Sequence, residues 1–318
     1  MSNGKQAVPT DSSTTQVEAA GDPLAPDRID ALTYRLIAMG FILLTLVIIT
    51  GAAWAQYTWH KWWSWDPKET SALVAWLVYL VYLHGRLLGW SKRLLAWIAV
   101  LGAFAVIFCY AGVNLLGGMH AYGAPTQSVI EGARNAFLGM RSTEALLAKG
   151  FLICYLAAFV LYLGAAVLGG GADADPEAGR ARKARLAWAG AVPTFLGFVL
   201  QTIALVNRSV EAGHLPFSTG YEYAASFAWA IVLVFLILQV RVRTPVIGAA
   251  SLPFILLILA YGFLWFGDKG VSPLPVALQN KFWLHLHVAI AIISYAALIL
   301  ATATSAIYLV KSRGTPEA

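Results

Sequence analysis

The chain has 318 residues, of which 59% are hydrophobic and only 12% charged, whereas a soluble domain carries about 25% charged residues. That balance excludes a water-soluble globular protein and points to an all-α integral membrane protein, with lipid in place of water around most of the chain. The net charge of +6 calls for no nucleic acid, because basic residues gathered on one side of a membrane account for it.

Residues 1–30 are polar and rich in Ser, Thr, Asp and Pro. They lack the basic start, apolar stretch and cleavage site of a signal peptide and read as a disordered tail. A bilayer core takes about 20 apolar residues per helix. Eight such runs follow, near 33–53, 70–90, 94–116, 144–169, 186–206, 221–240, 246–266 and 283–310. Arg86, Lys92 and Arg93 follow the second run, Arg180, Arg182, Lys183 and Arg185 the fourth, Arg241 and Arg243 the sixth, and Lys311 and Arg313 the eighth. Every even span thus ends in a basic cluster, which places both termini in the cytoplasm. Segments 54–69, 117–143, 207–220 and 267–282 then face outward. Residues 170–185, rich in Gly, Ala, Asp and Arg, read as a cytoplasmic linker between a four-helix half over 31–169 and a second over 186–313. Cys109 and Cys154 lie inside apolar runs and form no CxxC. They read as small apolar core residues, not as redox or metal groups.

The chemistry collects in the outward loops. Trp54, Trp59, Trp62, Trp63 and Trp65 fall within twelve residues of the first. An interfacial aromatic belt spreads such residues over many helix ends; packed into one loop they make a flat, apolar, π-rich platform for a large planar ligand. Asp66, Pro67 and Glu69 also suit a helix start as cap, first helical residue and acid at the positive end. The second loop presents His120 and the third His214, each on a Gly-flanked turn outside a span. Either is ordinarily a solvated surface histidine. Two on the face that carries the tryptophans suit axial ligands above and below a porphyrin iron. Zinc, the rival metal, needs three or four protein ligands, and no cysteine or carboxylate clusters with these histidines. His84, on the second span, is costly at that depth unless paired or bound. His60 in the tryptophan loop reads as solvated. His285 and His287 begin the eighth span and either hydrogen-bond a neighbouring helix or line the site.

These segments resemble those of a known family. Gly51 to Arg86, with Trp63, Ser64, Trp65, Asp66, Pro67, Lys68, Glu69 and Thr70 in sequence and Tyr82, Leu83 and His84 downstream, is similar to the tryptophan-rich WWD domain of the haem-handling proteins of cytochrome c biogenesis, in its CcsA/ResC form. Gly112–Gly123 resembles that family's GVNLLG…LHSYG segment, with Ala121 in place of serine. Gly213–Glu222 resembles GHxPxSNxYE, and Trp283–Val288 with Tyr295 resembles WLxxHV…YAA. The family runs GHxPxS, LHV, WWD, LHSYG, whereas here the WWD half comes first, so the chain reads as a circular permutation whose new join, at 124–143, lies outside. The resemblance implies a haem lyase, the membrane subunit of a cytochrome c synthase. Haem b is its substrate, held without a covalent bond. His120 and His214 are axial ligands on the outward face, Trp59, Trp62, Trp63, Trp65 and Asp66 shape the platform, and His84 ligates haem within the membrane. The implied partners are a CcsB/ResB-type membrane subunit and an apocytochrome c with a CxxCH motif. The implied location is a bacterial inner membrane or thylakoid membrane, with the active loops in the periplasm or lumen. A haem exporter or chaperone without synthase chemistry would use the same ligands. A non-haem transporter would need polar residues at the midplane of several spans, and runs such as 246–266 are nearly devoid of them.

Overall fold

The computed structural model describes residues 24–112, 116, 142–168, 176–266, 274 and 278–313. Its long elements are eight helices: α1 (Pro26–Trp59), α2 (Pro67–Leu87), α3 (Lys92–Ile107), α4 (Ser142–Leu168), α5 (Pro176–Ala212), α6 (Gly220–Val242), α7 (Pro245–Tyr261) and α8 (Lys281–Lys311). All eight expected spans are present, each long and apolar enough to cross a membrane. The protein is an all-α integral membrane protein. Helices α3 and α7 each finish in a wider π-helical turn, Phe108–Gly112 and Gly262–Phe266.

Local chemistry explains the helix starts. Pro occupies the first positions of α1, α2 and α7, where no hydrogen-bond donor is missed. Side chains of Asp66, Ser91, Thr219, Thr244 and Asn280 cap α2, α3, α6, α7 and α8. Two boundaries differ from expectation. The tail ends earlier than residue 30, because Pro26 starts α1 and Asp30, four residues on, is buried in a bidentate pair with Arg86 at 2.6 and 2.7 Å. Helix α5 begins at Pro176, inside the stretch read as a linker.

The larger correction concerns the two halves. Helix α4 packs on α5 and α7, whereas α8 packs on α1 and α3, so the structural groups are α8-α1-α2-α3 and α4-α5-α6-α7. Helices α6 and α7 join the groups by packing on α8. Among the described residues the pairing of α1 with α8 is the most extensive. Small residues permit it: a side chain at Gly40 would collide with Leu298, and Ala296, Ala297 and Ala301 are fully buried on α8. Ser294 Oγ donates to the Gly40 carbonyl at 2.9 Å, and Thr33 Oγ1 donates to Thr304 at 2.7 Å. In the second group Tyr155 donates to Gln201 at 2.6 Å and Gln201 donates to the Ala225 carbonyl at 2.9 Å, tying α4, α5 and α6.

Ion pairs and hydrogen bonds locate one basic end of the bundle. Lys92 pairs with Asp27, Arg86 with Asp30, and Arg93 donates to the Ser312 carbonyl. The start of α1 and the finish of α8 therefore lie side by side.

Candidate functional site: a cavity beneath the tryptophan loop

At the opposite end, α1 stops where His60 takes a left-handed conformation and returns its N–H to the Gln56 carbonyl at 3.0 Å. The chain then turns into α2 under the control of one carboxylate. Glu69 Oε2 accepts from Ser64 N at 2.8 Å, Ser64 Oγ at 3.0 Å and Asp66 N at 3.2 Å. Asp66 Oδ1 accepts from Lys68 N at 3.0 Å, completing a capping box. The turn holds Trp65 at φ 59°, a conformation that costs a bulky side chain energy unless its surroundings impose it. Thr70 Oγ1 adds a bond to the Trp65 carbonyl at 3.3 Å.

The loop before α6 uses the same device. Glu222 Oε2 accepts from Ser218 N and Ser218 Oγ, both at 2.6 Å, and from Thr219 N at 3.3 Å. Its other oxygen accepts from Arg208 Nε at 2.6 Å, and Arg208 Nη1 donates to Glu144 at 2.7 Å. Arg208 and Glu222 are 2% and 0% exposed, so a fully enclosed ion pair holds the base of the His214 loop. A small apolar core of Trp54, Phe217, Leu278, Leu284 and Val288 seats that loop on α1 and α8.

Between α1, α2, α6 and α8, beneath the tryptophan loop, lies an open-mouthed cavity. Trp54, Trp59 and Trp63 line its upper part. The π-helical ends contribute Tyr110 and Phe266, a placement common for π-turns at functional sites. His287 lines the wall and its Nδ1 lies 3.1 Å from Thr50 Oγ1. Its ring stands edge-on to Trp54 and fills the space a side chain at Gly51 would need. Lys68 also lines the cavity, with its ammonium 5.8 Å from the centre of the Tyr223 ring. Lower down, the buried Cys109 thiol meets the Tyr295 hydroxyl at 3.3 Å.

The tryptophans divide. Trp59 and Trp63 face the cavity, whereas Trp62 and Trp65 are 62% and 70% exposed. Asp66 is buried and committed to the helix start. His214 sits on the neighbouring loop. Its Nδ1 is 2.8 Å from the Leu215 carbonyl, an atom that can only accept, so Nδ1 carries the proton and Nε2 is the nitrogen able to offer a lone pair. Lys281, at the start of α8, donates to the Gly213 carbonyl at 3.3 Å, and His285 on the next turn is close enough to interact electrostatically with His214. His84 lies near the far end of α2, exposed, with Nδ1 2.9 Å from the Leu80 carbonyl. His120 lies outside the described residues. Among those described, no three His, Cys, Asp or Glu side chains converge on a bare metal ion.

Sequence reasoning left open the choice between two roles for His287, and the structure assigns it both, a bond to the neighbouring helix and a place in the cavity wall. It missed Lys68, read only as a motif letter, and the Arg208–Glu222 pair. The signal was present in an arginine and a glutamate flanking a loop between two apolar runs, since such charges stay at membrane depth only when paired.

This architecture defines a class: a polytopic membrane protein with an aromatic-roofed cavity at one end. Residues 15–120 and 218–317 match the family described as cytochrome C assembly protein, and the chain belongs to that family. Among curated proteins it is similar to the cytochrome c biogenesis protein CcsA of Synechococcus sp. (strain RCC307), 55% identical over 121 residues, 37% of this chain and 39% of that one. CcsA of Synechococcus sp. (strain WH7803) is 57% identical and CcsA of Prochlorococcus marinus (strain MIT 9303) 56% identical, each over 99 residues, 30% of this chain and 31% of theirs. The chain thus aligns with well under half the length of these relatives. No solved structure matches.

Proposed function

We propose that the protein takes haem b as substrate, holds it beneath and against the tryptophan loop, and presents it for covalent attachment to apocytochrome c. The observation that carries this reading is the cavity itself. It is roofed by Trp59 and Trp63 and walled by apolar side chains, with a few polar groups converging on it, as expected of a site for a large planar ligand. Bound iron would take His214 and His120 as axial ligands. The attachment adds a thiol across a vinyl double bond of haem: one S–C bond and one C–H bond form as the thiol S–H bond and the vinyl π bond break, and no atom or electron leaves. The protein's own part is to hold the planar ring, exclude water and align the thiol, and proximity accounts for much of such a rate. The basic clusters support termini in the cytoplasm and the tryptophan end in the periplasm or lumen of a bacterial inner membrane or a thylakoid membrane. The two-block family match, with the start of α1 beside the finish of α8, supports the permuted order, since permutation is tolerated where chain ends lie close together. An absorption spectrum of the detergent-purified protein tests the reading. A six-coordinate low-spin haem is expected, and a preparation that neither carries haem nor takes it up counts against it. Haem bound with no thioether product on a CxxCH peptide would leave a carrier in place of a synthase.

The division of the tryptophans yields a sharper expectation. Trp63→Ala should lower haem per protein several-fold while Trp62→Ala leaves it near normal, and Trp63→Phe should fall between, because most of the apolar face survives. Equal losses in haem and in membrane abundance for both alanine variants would mean that the tryptophans anchor the helix ends.

His84 supports a site shared with another polypeptide. The Nδ1–H bond to Leu80 leaves Nε2 as the lone-pair nitrogen, on an exposed side chain of a membrane span. About 16 residues of helix at ~1.5 Å each separate it from Lys68, so it cannot share an iron with the outward histidines. Co-expression with a CcsB/ResB-type subunit should raise haem per complex, and His84→Ala should remove that gain alone. Identical haem stoichiometry with and without the subunit would end this assignment.

A further inference from the structure

We propose that the Lys68 ammonium is the anchor for a carboxylate of the cavity's ligand. The side chain is half-buried and lines the cavity. Among the described residues no carboxylate lies within ion-pair distance of it. The Cys109 thiol, which donates to the Lys68 carbonyl at 3.7 Å, acts on it electrostatically, and Asp66 does so less strongly from beyond ion-pair distance, with Oδ1 taken by the Lys68 backbone N–H. Glu69, one residue on, gives Oε2 to Ser64 and Asp66. The charge therefore rests on the face of the Tyr223 ring, a weak substitute for a counter-ion.

Helix stability does not explain the residue. A cation in the first turn opposes the helix dipole, and a half-buried ammonium is costly unless something charged meets it. The rest of the wall is largely aromatic and aliphatic. Such a site fits a ligand with a broad apolar body and an acidic edge. Haem, the ligand of the proposed function on which this identification rests, has that form: an apolar macrocycle with two propionates on one edge. Lys68 would fix the in-plane rotation of the ring, a degree of freedom that axial histidines leave open, and so decide where the vinyl groups point.

The test compares haem with its dimethyl ester, which keeps iron and vinyl groups and removes both charges. Purified protein in neutral detergent is titrated with each, for wild type, Lys68→Met and Lys68→Arg. Wild type should bind haem about tenfold or more tighter than the diester. Lys68→Met should bind both alike, and Lys68→Arg, which keeps the charge, should restore the preference and show that the fold is intact. A preference that survives in Lys68→Met, or its absence from wild type, overturns the anchor while leaving the haem reading in place. If wild type binds neither porphyrin, the haem reading fails instead, and oleate decides the anchor: Lys68-dependent uptake supports it, and no uptake overturns it.

Discussion

His214→Gly is expected to abolish the low-spin haem spectrum of the purified protein and to lower retained haem by about tenfold or more, equivalent to ~1.4 kcal/mol or above. His120→Gly should do the same. For His214 the argument rests on tautomer: the Leu215 carbonyl takes the Nδ1 proton at 2.8 Å, which is how a ligating histidine is commonly oriented by its second nitrogen. Free imidazole added to either variant should recover part of the spectrum by entering the vacated position. An unchanged low-spin spectrum in both variants, without imidazole, would remove these residues from the iron.

Glu222→Ala is expected to be the most destabilising single change in the loop region, at about 3–5 kcal/mol, the usual cost of orphaning one partner of a buried pair. Four bonds end on that carboxylate, from Ser218 N, Ser218 Oγ, Thr219 N and Arg208 Nε. Arg208 would keep its pair with Glu144 and its place over the Tyr221 ring. Thermal unfolding in detergent, followed by helical circular dichroism, measures the loss. The double change Arg208→Met with Glu222→Gln should cost less than the two single changes added together, because no bare charge stays behind. Haem retention should fall with Glu222→Ala as the His214 loop loosens. A midpoint within a degree of wild type would show that the clamp is dispensable.

The spans were legible because apolar length is a property of each segment alone: 246–266 needs no partner to be recognised as bilayer-crossing. Their grouping was not. Lipid is as apolar as a leucine face, so nothing in the pattern says that α8 belongs with α1, or α4 with α5 and α7. What decides is fit, as where Gly40 receives Leu298, and fit is a relation between residues far apart in the chain. The site divides in the same way. The tryptophan loop and the His214 turn were visible as local clusters, and Asp66 was read as a cap from its immediate neighbours. The separation of Trp59 and Trp63 from Trp62 and Trp65 depends on the left-handed turn at Trp65, which a bulky residue does not announce. Lys68 is more instructive still. Its neighbours Asp66 and Glu69 suggest ion pairing, yet both carboxylates are drawn into the helix start, and only the three-dimensional arrangement reveals a cation facing empty space.

The α1–α8 pairing also has a consequence in time. More than two hundred residues separate the last residue of α1 from the first of α8, and synthesis proceeds at ~5–20 residues per second. Helix α1 therefore resides in the bilayer for on the order of tens of seconds with the groove at Gly40 unfilled. During that interval the α8 wall of the cavity does not yet exist, and the α6 wall appears only near its end. The cavity arises late in biogenesis, as a property of the assembled bundle, and a nascent chain interrupted before α8 is a set of membrane helices without it.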